Sequence, residues 1–383
     1  MERFDVVVIG TGGMGAAALM HLAARGARVV GLDRFPPGHD RGSSHGQTRL
    51  IRMAYFEHPD YVPLLRRAYA LWHALEEAAG TRLLVAAGLL MAGPPDGDVV
   101  SGSLRSAAIH GLDVERMTAA AAIDRWPSFR LPADWAVVHE PAAGYLLVEA
   151  CVRAHADAAL RSGARIDHGV VVRGWRTAAT DGGGHVVVDT DSGTYAADRL
   201  VITPGAWGAD LLRMPSLRLE VLRKSLFWFE PQPGGRADLA TGSLPCFAFD
   251  TRQGFFYGFP DIDGRGLKVA EHSGGRHVAD PLAVDRGIDP GERTRIEEVL
   301  AAHLPGARGR LRSHAVCLYT MSPDHHFVVG PHPEHERVTV AAGFSGHGFK
   351  FASVIGEILA DITLDGATSH PIAFLSPRRF LAG

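Results

Sequence analysis

A glycine-rich turn near the N-terminus constrains this chain more than any other feature. Gly10, Gly12 and Gly15 have the spacing G-x-G-x-x-G. They follow a short β-branched run that is typical of a buried parallel strand, and they precede a helix-favouring stretch that ends at Gly26. A second apolar run then ends at the carboxylate of Asp33. Together the strand, turn, helix and terminal acid predict a β-α-β unit of the Rossmann type.

The glycines and the acid have distinct physical roles in such a unit. Gly10 permits the tight turn from strand to helix, Gly12 lets a pyrophosphate approach the backbone, and Gly15 lets the helix pack closely on the strand. Asp33, 18 residues after Gly15, can accept hydrogen bonds from ribose hydroxyls. These residues predict a dinucleotide site. The motif alone does not distinguish FAD from NAD, and an ordinary glycine-rich turn is the plainer alternative.

Bulk properties narrow the class of protein. At 383 residues the chain exceeds a single ordinary core, so two domains are expected. A formal net charge of -3 argues against the broad basic field of a protein that binds nucleic acid or anionic membranes. We expect no signal peptide, because the N-terminus has no basic region followed by a long apolar run and its apolar residues lead directly into the glycine turn. We expect no membrane span, because no apolar run approaches about 18 residues. Three widely separated cysteines argue against a disulfide framework and favour the reducing cytoplasm.

The order of apolar segments predicts an α/β fold with two domains. Helix and strand patterns recur on both sides of a central region rich in aromatic and β-branched segments, which Gly, Pro and Asp separate. We therefore predict a discontinuous Rossmann-like domain and a substrate domain built on a mixed or antiparallel sheet (α+β). The nucleotide-binding segments are predicted as residues 1–84, 142–215 and 318–383, and the substrate-domain segments as residues 85–141 and 216–317.

A second glycine-rich loop, residues 343–350 (GFSGHGFK), leads into an apolar helix. A helix N-terminus stabilises negative charge, and a reduced flavin carries such charge near its N1–C2=O edge. We therefore predict a second cofactor contact through Gly346, His347 and Gly348.

Beyond these patterns, the sequence resembles the FAD-dependent monomeric sarcosine oxidase and N-methyltryptophan oxidase family over nearly its whole length. The matching segments are residues 10–15 (GTGGMG), 46–52 (GQTRLIR), 257–260 (YGFP), 266–268 (GLK), 315–320 (AVCLYT) and 343–350, together with His272. The segments at 315–320 and 343–350 are specific to this resemblance, whereas the first is shared by many folds.

The resemblance implies a two-domain, monomeric FAD enzyme that oxidises secondary amino acids, either N-methylated or cyclic. Electrons pass to the flavin and then to O2, which gives H2O2, and N-methyl substrates release formaldehyde. Three alternatives stay open. The first is an FAD-dependent amino-acid dehydrogenase with another electron acceptor. The others are a flavin-binding protein without turnover and an NAD-dependent dehydrogenase.

Cys317 matches the cysteine that carries the flavin through a thioether at its 8α position. The resemblance therefore predicts covalent FAD. Without it, a small buried hydrophobic residue is the ordinary interpretation of a free cysteine. A nucleophilic Cys317–His347 pair is a further alternative, although no supporting motif accompanies it.

The resemblance also implies roles for three cationic residues. Arg52 and Lys350 match the pair that binds the substrate carboxylate. A planar fork and a point charge suit that group, and solvated surface charge is the alternative. Lys268 matches the lysine beside flavin N5, where a cation helps O2 to accept an electron. An edge-strand lysine is the alternative.

Other polar residues match positions that line the flavin and the substrate: His45, Arg49, Tyr257 and His272. We expect His272 to orient the substrate amine or tune its protonation rather than act as an essential base. Tyr319, two residues after Cys317, is expected to line the pocket or to contact the flavin.

One substitution concerns the substrate pocket. Ala248 stands where sarcosine-specific relatives carry a methionine, so we expect an enlarged site that favours a bulkier N-methyl or cyclic amino acid.

A histidine-rich segment spans residues 325–335, but its spacing matches no familiar zinc pattern, so we expect no metal. Its members are His325, His326, His332, Glu334 and His335.

Overall fold

Strands and helices alternate along most of the chain, and the computed structural model describes residues 2–178, 184–234 and 237–381. Within these ranges the strands are β1 (Arg3–Ile9), β2 (Val29–Asp33), β3 (Thr48–Ile51), β4 (Leu84–Val85), β5 (Leu89–Gly93), β6 (Glu115–Thr118), β7 (Ala136–Glu140), β8 (Gly144–Leu147), β9 (Arg165–His168), β10 (Val172–Ala178), β11 (His185–Thr190), β12 (Gly193–Ile202), β13 (Glu220–Phe229), β14 (Cys246–Thr251), β15 (Gly254–Phe259), β16 (Leu267–Glu271), β17 (Arg276–His277), β18 (Leu311–Met321), β19 (Val328–Pro331) and β20 (Val338–Ala342). The α-helices are α1 (Gly13–Ala24), α2 (Val62–Ala79), α3 (Asp98–His110), α4 (Ala119–Arg125), α5 (Val148–Arg161), α6 (Gly208–Leu212), α7 (Pro290–His303) and α8 (Ala352–Asp365).

The first sheet contains the predicted nucleotide-binding unit. Its strands lie in the order β10-β11-β12-β1-β2-β9, and β20, which also pairs with β19, lies beside β12. Strand β1 runs parallel to both β2 and β12. Val6, Val7 and Val8 are fully buried, because helices or strands cover both faces of this strand. The predicted Rossmann-like α/β architecture is confirmed.

Helix α1 packs against both α5 and α8, and small residues make this close packing feasible. Ala16, Ala17 and Ala18 are fully buried. A Cβ atom at Gly356 of α8 would lie only 2.5 Å from the Cβ atom of Ala17. Since side chains in a close-packed interior do not approach so closely, Gly356 sets the distance between these two helices.

The second sheet has the order β17-β13-β16-β15-β14-β5-β7-β6. Strand β18 also pairs with β13, along the edge opposite β16. Its pairings are antiparallel except for the parallel pair of β5 and β14, so the predicted mixed sheet is confirmed. Alternate residues face opposite sides. Phe227 and Phe229 pack with α4 and α7, whereas Leu226 and Trp228 belong to a second apolar cluster on the opposite face.

The residue boundaries between the two predicted domains remain a proposal. Strand β18 pairs with β13 along residues 311–321, so the division after residue 317 falls inside a strand of the second sheet. A small third sheet, β3-β8-β4, lies outside both large sheets. None of the helices within the described ranges has the length and apolar character that a membrane span requires.

Candidate active site

A single cleft lined by residues of both large sheets contains most of the predicted site residues. Those that line it are Gly10, Gly12, Asp33, Arg49, Arg52, Ala248, Tyr257, His272, Tyr319, Gly346, His347, Gly348 and Lys350. Four other predicted residues do not line it: Gly15, His45, Lys268 and Cys317.

The first glycine turn combines two closely packed positions with one open position. Gly10 has a φ of 87°, and a Cβ atom there would lie 2.3 Å from the carbonyl oxygen of Thr203. A Cβ atom at Gly15 would lie 1.8 Å from the carbonyl oxygen of Gly10. At Gly12 the nearest atom is the hydroxyl of Ser44, at 4.0 Å. Gly10 and Gly15 are therefore required by the fold, and Gly12 leaves backbone open to the cleft, as a pyrophosphate needs.

Asp33 ends β2 at the rim of this turn. Its Oδ2 accepts hydrogen bonds from the backbone N–H of Thr11, at 2.6 Å, and from the Thr11 hydroxyl, at 3.2 Å. Its Oδ1 accepts a hydrogen bond from the N–H of Phe35 at 2.9 Å. The carboxylate thus joins the glycine turn to the end of β2 and also lines the cleft, where a ribose hydroxyl can reach its remaining lone pairs.

The second glycine loop packs directly on β18. A Cβ atom at Gly346, whose φ is 81°, would lie 2.3 Å from the Tyr319 ring, and the N–H of Ser345 donates to the Thr320 carbonyl at 2.9 Å. Burial lowers the pKa of His347 to about 4. Its Nδ1 lies 2.5 Å from the Tyr55 hydroxyl, and its Nε2 lies 3.1 Å from the carbonyl of His325. Because both ring nitrogens have other partners, His347 does not pair with Cys317, and the alternative of a nucleophilic Cys317–His347 pair is wrong.

Arg52 and Lys350, the predicted carboxylate-binding pair, are both buried. Nη2 of Arg52 lies 2.8 and 2.6 Å from the two carboxylate oxygens of Glu57, and Nη1 donates to the carbonyl of Ala54 at 2.7 Å. Nζ of Lys350 donates to the carbonyl of His347 at 2.7 Å. The alternative of solvated surface charge is therefore wrong for both cations.

Glu57 was missed by the sequence analysis, although a carboxylate five residues after an arginine is a visible signal. Burial raises the pKa of Glu57, but Arg52, His347 and Lys350 outweigh burial and lower that pKa to about 2. Burial also lowers the pKa of Lys350 to about 7, and the charge of Arg52 adds to this effect. The pair therefore carries one charge neutralised by Glu57 and one that titrates near neutral pH.

Lys268 lies on β16, between β13 and β15, so the edge-strand alternative is wrong. Its Nζ donates to the carbonyls of Gly46 and Thr48, at 2.6 and 2.8 Å, and to the Thr48 hydroxyl at 3.1 Å. Burial lowers the pKa of Lys268 well below the ordinary value. The ammonium thus lies directly behind the segment that carries Arg49 and Arg52.

Cys317 is buried beside Arg49 and does not itself line the cleft. Its Sγ atom lies 3.1 Å from Nη2 of Arg49 and 3.5 Å from the carbonyl of Ser43. Nearby His45 is buried, and its Nε2 has no partner among the described residues. Burial, with the charge of Arg49 in addition, lowers the pKa of His45 to about 4. The guanidinium is therefore the cation in contact with this sulfur.

His272, Tyr257 and Tyr319 form a polar but uncharged group on the cleft-facing side of the second sheet. Nδ1 of His272 lies 3.3 Å from the hydroxyl of Tyr319. Burial, together with the charge of Lys224, lowers the pKa of His272 to about 3. Burial raises the pKa values of both tyrosines. At neutral pH this group can donate and accept hydrogen bonds, but His272 carries no charge.

The histidine-rich segment does not converge on one point. Nε2 of His332 donates to the carbonyl of Leu212 at 2.8 Å, while Nδ1 of His326 lies 3.2 Å from the Tyr61 hydroxyl. Across the part of the chain that the structure describes, no three His, Cys, Asp or Glu side chains are arranged to hold a metal ion.

Comparison with known proteins agrees with this geometry. A family model described as FAD dependent oxidoreductase matches residues 5–362. The monomeric sarcosine oxidase of Streptomyces avermitilis is 42% identical over 99% of this chain and 98% of its own. The N-methyl-L-tryptophan oxidase of Yersinia pestis is 36% identical over 98% of this chain and 99% of its own.

Solved structures give the same result for the fold. NikD, an unusual amino acid oxidase essential for nikkomycin biosynthesis, matches in its open form with a TM-score of 0.85 and 26% identity, covering 98% of both chains. Glycine oxidase from Geobacillus kaustophilus matches over 100% of both chains with a TM-score of 0.81 and 22% identity, which shows the fold alone. The chain therefore belongs to the FAD-dependent oxidoreductase family, in the group that contains the monomeric sarcosine oxidases and N-methyltryptophan oxidases.

Proposed function

We propose that this protein is an FAD-dependent oxidase of secondary amino acids, N-methylated or cyclic, with O2 as electron acceptor. The CH–NH unit loses two electrons and two protons to give an imine, O2 gains them to give H2O2, and water splits the imine. From an N-methyl group this hydrolysis releases formaldehyde. The observation that carries the proposal is a pair of buried cations, Arg52 and Lys350, in the cleft that contains the glycine turn.

The residues present fit FAD. Gly12 has no side chain, so its backbone is open to the cleft. Asp33 lines the cleft at the end of β2, and the loop at residues 343–350 precedes helix α8. These groups would hold pyrophosphate, ribose and the flavin edge, respectively. When bound, FAD supplies a two-electron acceptor for the substrate.

Recognition of an α-carboxylate follows from the cation pair. The guanidinium offers a planar set of donors and the ammonium offers a point charge. Both side chains are buried, and hydrogen bonds to a carboxylate are stronger in a buried site than in bulk water. Glu57 already accepts hydrogen bonds from Nη2 of Arg52. An incoming carboxylate therefore competes with Glu57 for the guanidinium or shares the guanidinium with it.

The amine is expected to react in its neutral form, since an ammonium has no lone pair to offer. His272, whose pKa burial lowers to about 3, accepts no proton at neutral pH. Its role in the proposed reaction is to orient the amine by hydrogen bonding. Tyr319, whose hydroxyl lies 3.3 Å from Nδ1 of His272, assists in this role.

We also propose that Cys317 holds FAD covalently. Its sulfur lies 3.1 Å from the guanidinium of Arg49, a residue that lines the cleft, so the sulfur is adjacent to the proposed flavin site. Acid precipitation tests this: yellow colour should stay in the pellet for the wild-type protein and move to the supernatant for Cys317→Ala. Cys246→Ala, which removes another buried cysteine of the second sheet, is the matched control and should keep its flavin in the pellet.

Lys268 is proposed to assist O2. Burial lowers the pKa of Lys268 and so opposes its charge, but Nζ donates to three oxygens, which favour the protonated form. The protonated side chain would stabilise the negative charge that develops as O2 accepts an electron. Lys268 does not line the cleft, so it is not counted with the carboxylate-binding pair.

We further propose a cytoplasmic monomer. All three cysteines are free and buried, which suits a reducing compartment. Among the described residues, the large exposed hydrophobic side chains lie on α3, on α5, between β17 and α7, and near the end of the chain: Ile109, Leu160, Leu282, Ile288 and Leu381. Sedimentation at several concentrations should give the mass of one chain, and a dimer would contradict the proposal.

The decisive experiment mixes the purified protein with N-methyl and cyclic amino acids, first without O2 and then with it. The flavin absorbance should bleach anaerobically, and air should restore it with one H2O2 per substrate. Bleaching without reoxidation by air would favour a dehydrogenase with another acceptor. Failure of every amino acid to bleach the flavin would favour a binding protein and refute the proposed function.

A further inference from the structure

Met91, Ala248 and Tyr257 lie side by side on the second sheet and line the cleft. Ala248 of β14 is in register with Met91 of β5 and with Tyr257 of β15. Because neighbours in register project from the same face, the small side chain of Ala248 leaves a notch between two large ones. Adjacent strands are about 4.8 Å apart, so the two flanking strands lie roughly 10 Å apart, which leaves room for one aliphatic chain or ring.

Met91 closes this notch on the side of helix α3. Its Sδ atom lies 3.5 Å from the hydroxyl of Ser103, and both side chains are fully buried. A methionine has three rotatable bonds and ordinarily adapts to its surroundings, but this contact restrains the thioether. The expectation that Ala248 by itself enlarges the site is therefore incomplete, since the methionine of the neighbouring strand limits the added space.

The surroundings of the notch are apolar. Leu89, Met91 and Ala248 belong to one buried cluster, and Phe56 and Phe255 pack against it. The rings of Phe56 and Phe255 meet edge to face, with centroids 5.5 Å apart. All five side chains line the cleft, so a ligand group placed here meets hydrocarbon on several sides.

The notch also adjoins the carboxylate-binding and amine-binding groups. The guanidinium carbon of Arg52 lies 4.3 Å from the centroid of the Phe56 ring. The ring of Phe255 lies 5.6 Å from that of His272, centroid to centroid. In an α-amino acid the side chain, the carboxylate and the amine all branch from one carbon, so a side chain bound near Arg52 and His272 must meet this apolar wall.

We propose that the notch over Ala248 is the subsite for the substrate's side chain, that it takes a compact aliphatic chain or ring, and that Met91 sets its size. This inference rests on the proposed function and names its substrate class. The preferred substrates are N-methyl amino acids with branched aliphatic side chains, or their cyclic counterparts, rather than N-methylglycine. Burial of the extra methylene groups against apolar walls supplies the preference.

The test compares kcat/KM for sarcosine, N-methyl-L-leucine, L-pipecolate and N-methyl-L-tryptophan with the holoenzyme. One buried methylene changes kcat/KM by about tenfold or more in a fitted apolar pocket. We therefore expect N-methyl-L-leucine and L-pipecolate to exceed sarcosine by at least about tenfold, and N-methyl-L-tryptophan to fall below both.

Three variants assign the effect to the notch. Ala248→Met should lower the ratio of kcat/KM for N-methyl-L-leucine to that for sarcosine by at least about tenfold, and Ala248→Val should lower it less. Met91→Ala should raise the relative kcat/KM for N-methyl-L-tryptophan. Met117→Ala is the matched control, because Met117 lies on the same sheet and packs against the apolar cluster of its opposite face. Its substrate ratios should match those of the wild-type protein.

The outcomes separate the subsite from the function. A wild-type preference for sarcosine, or ratios that Ala248→Val and Met91→Ala leave unchanged, would overturn the subsite while the oxidase function stands. If none of the four amino acids reduces the flavin, the proposed function itself fails. If Ala248→Met does not fold, Ala248→Val and Met91→Ala still decide the question.

Discussion

Glu57 places both of its carboxylate oxygens on one guanidinium nitrogen of Arg52, at 2.8 and 2.6 Å. The cation that we propose for substrate recognition is therefore already neutralised by a residue of the same loop. Because the pKa of Glu57 is lowered to about 2, against the effect of burial, this competition persists at neutral pH.

Glu57→Gln should lower KM for amino-acid substrates by about tenfold, since removing a charge a few ångströms away is worth on the order of 1.4 kcal/mol at an intermediate dielectric. The amide keeps one hydrogen bond to Arg52, so the guanidinium stays oriented. Steady-state kinetics at constant ionic strength give the answer. A higher KM would mean that Glu57 assists binding, for example by holding Arg52 in place.

Arg52→Met should raise KM by about 100-fold or more, because charge-assisted hydrogen bonds to a carboxylate are worth about 1.5–3 kcal/mol each. Flavin content should not change. The single variant also leaves Glu57 buried without its partner, which costs about 3–5 kcal/mol of stability.

The double variant Arg52→Met/Glu57→Gln separates these two effects. It should recover much of the lost melting temperature but none of the lost affinity. Recovery of both would show that Arg52 acts on KM only through the stability of its loop.

Lys350 should make ligand binding depend on pH. Burial lowers its pKa to about 7, so the unliganded protein loses this positive charge as the pH rises through neutrality. The dissociation constant of an aliphatic carboxylate without an amine should therefore increase above about pH 7, by up to tenfold per pH unit. Titration of the flavin spectrum measures it. Lys350→Met should give a weaker but flat profile, and a sloping profile in that variant would assign the titration to another group.

Lys268→Met should slow reoxidation by O2 far more than anaerobic reduction by substrate. Loss of one buried, preorganised charge in an active site costs about 100-fold or more in rate. Stopped-flow absorbance measures the two half-reactions separately.

The control for Lys268 is Thr48→Val, which removes the hydroxyl that accepts from its Nζ at 3.1 Å and keeps the charge. Thr48→Val should leave reoxidation close to the wild-type rate. Equal slowing of both half-reactions in Lys268→Met would mean that the lysine only supports the loop at residues 46–48.

The two kinds of glycine in the first turn should respond differently to alanine. Gly15→Ala forces a Cβ atom to 1.8 Å from the carbonyl oxygen of Gly10, so the protein should unfold or lose several kcal/mol, on the order of an overpacked core position. Gly12→Ala meets nothing closer than 4.0 Å, so the apoprotein should fold normally and bind FAD more weakly. Circular dichroism and FAD titration of apoprotein test this, and normal FAD affinity in Gly12→Ala would refute its role.

The nucleotide-binding half of the fold was predictable because its information is local. Strand, turn and helix follow one another within residues 3–24, where Gly10 has a positive φ and Gly15 packs on the carbonyl of Gly10. The contacts of both glycines with Thr203 lie outside that unit. Family membership was likewise predictable, since motifs such as residues 315–320 and 343–350 are contiguous in the chain. The role of each polar residue within these motifs could only be stated as an expectation.

Contacts between distant segments were not predictable from the chain. Met91 and Ala248 are separated by more than 150 positions in sequence, yet the parallel pairing of β5 and β14 puts them in register, and both line the cleft. Register depends on how whole strands pair, and no local pattern specifies it.

Neighbouring residues specify the β-α-β unit, the cofactor class and the family, because turns, helix propensity and contiguous motifs depend on short stretches of the chain. Which charges meet depends on the tertiary structure. It placed Glu57 on Arg52, Arg49 on Cys317, and the ammonium of Lys268 on the backbone of residues 46–48. The physical reason is burial, since a buried charge must find a partner, and the fold alone decides which partner is within reach.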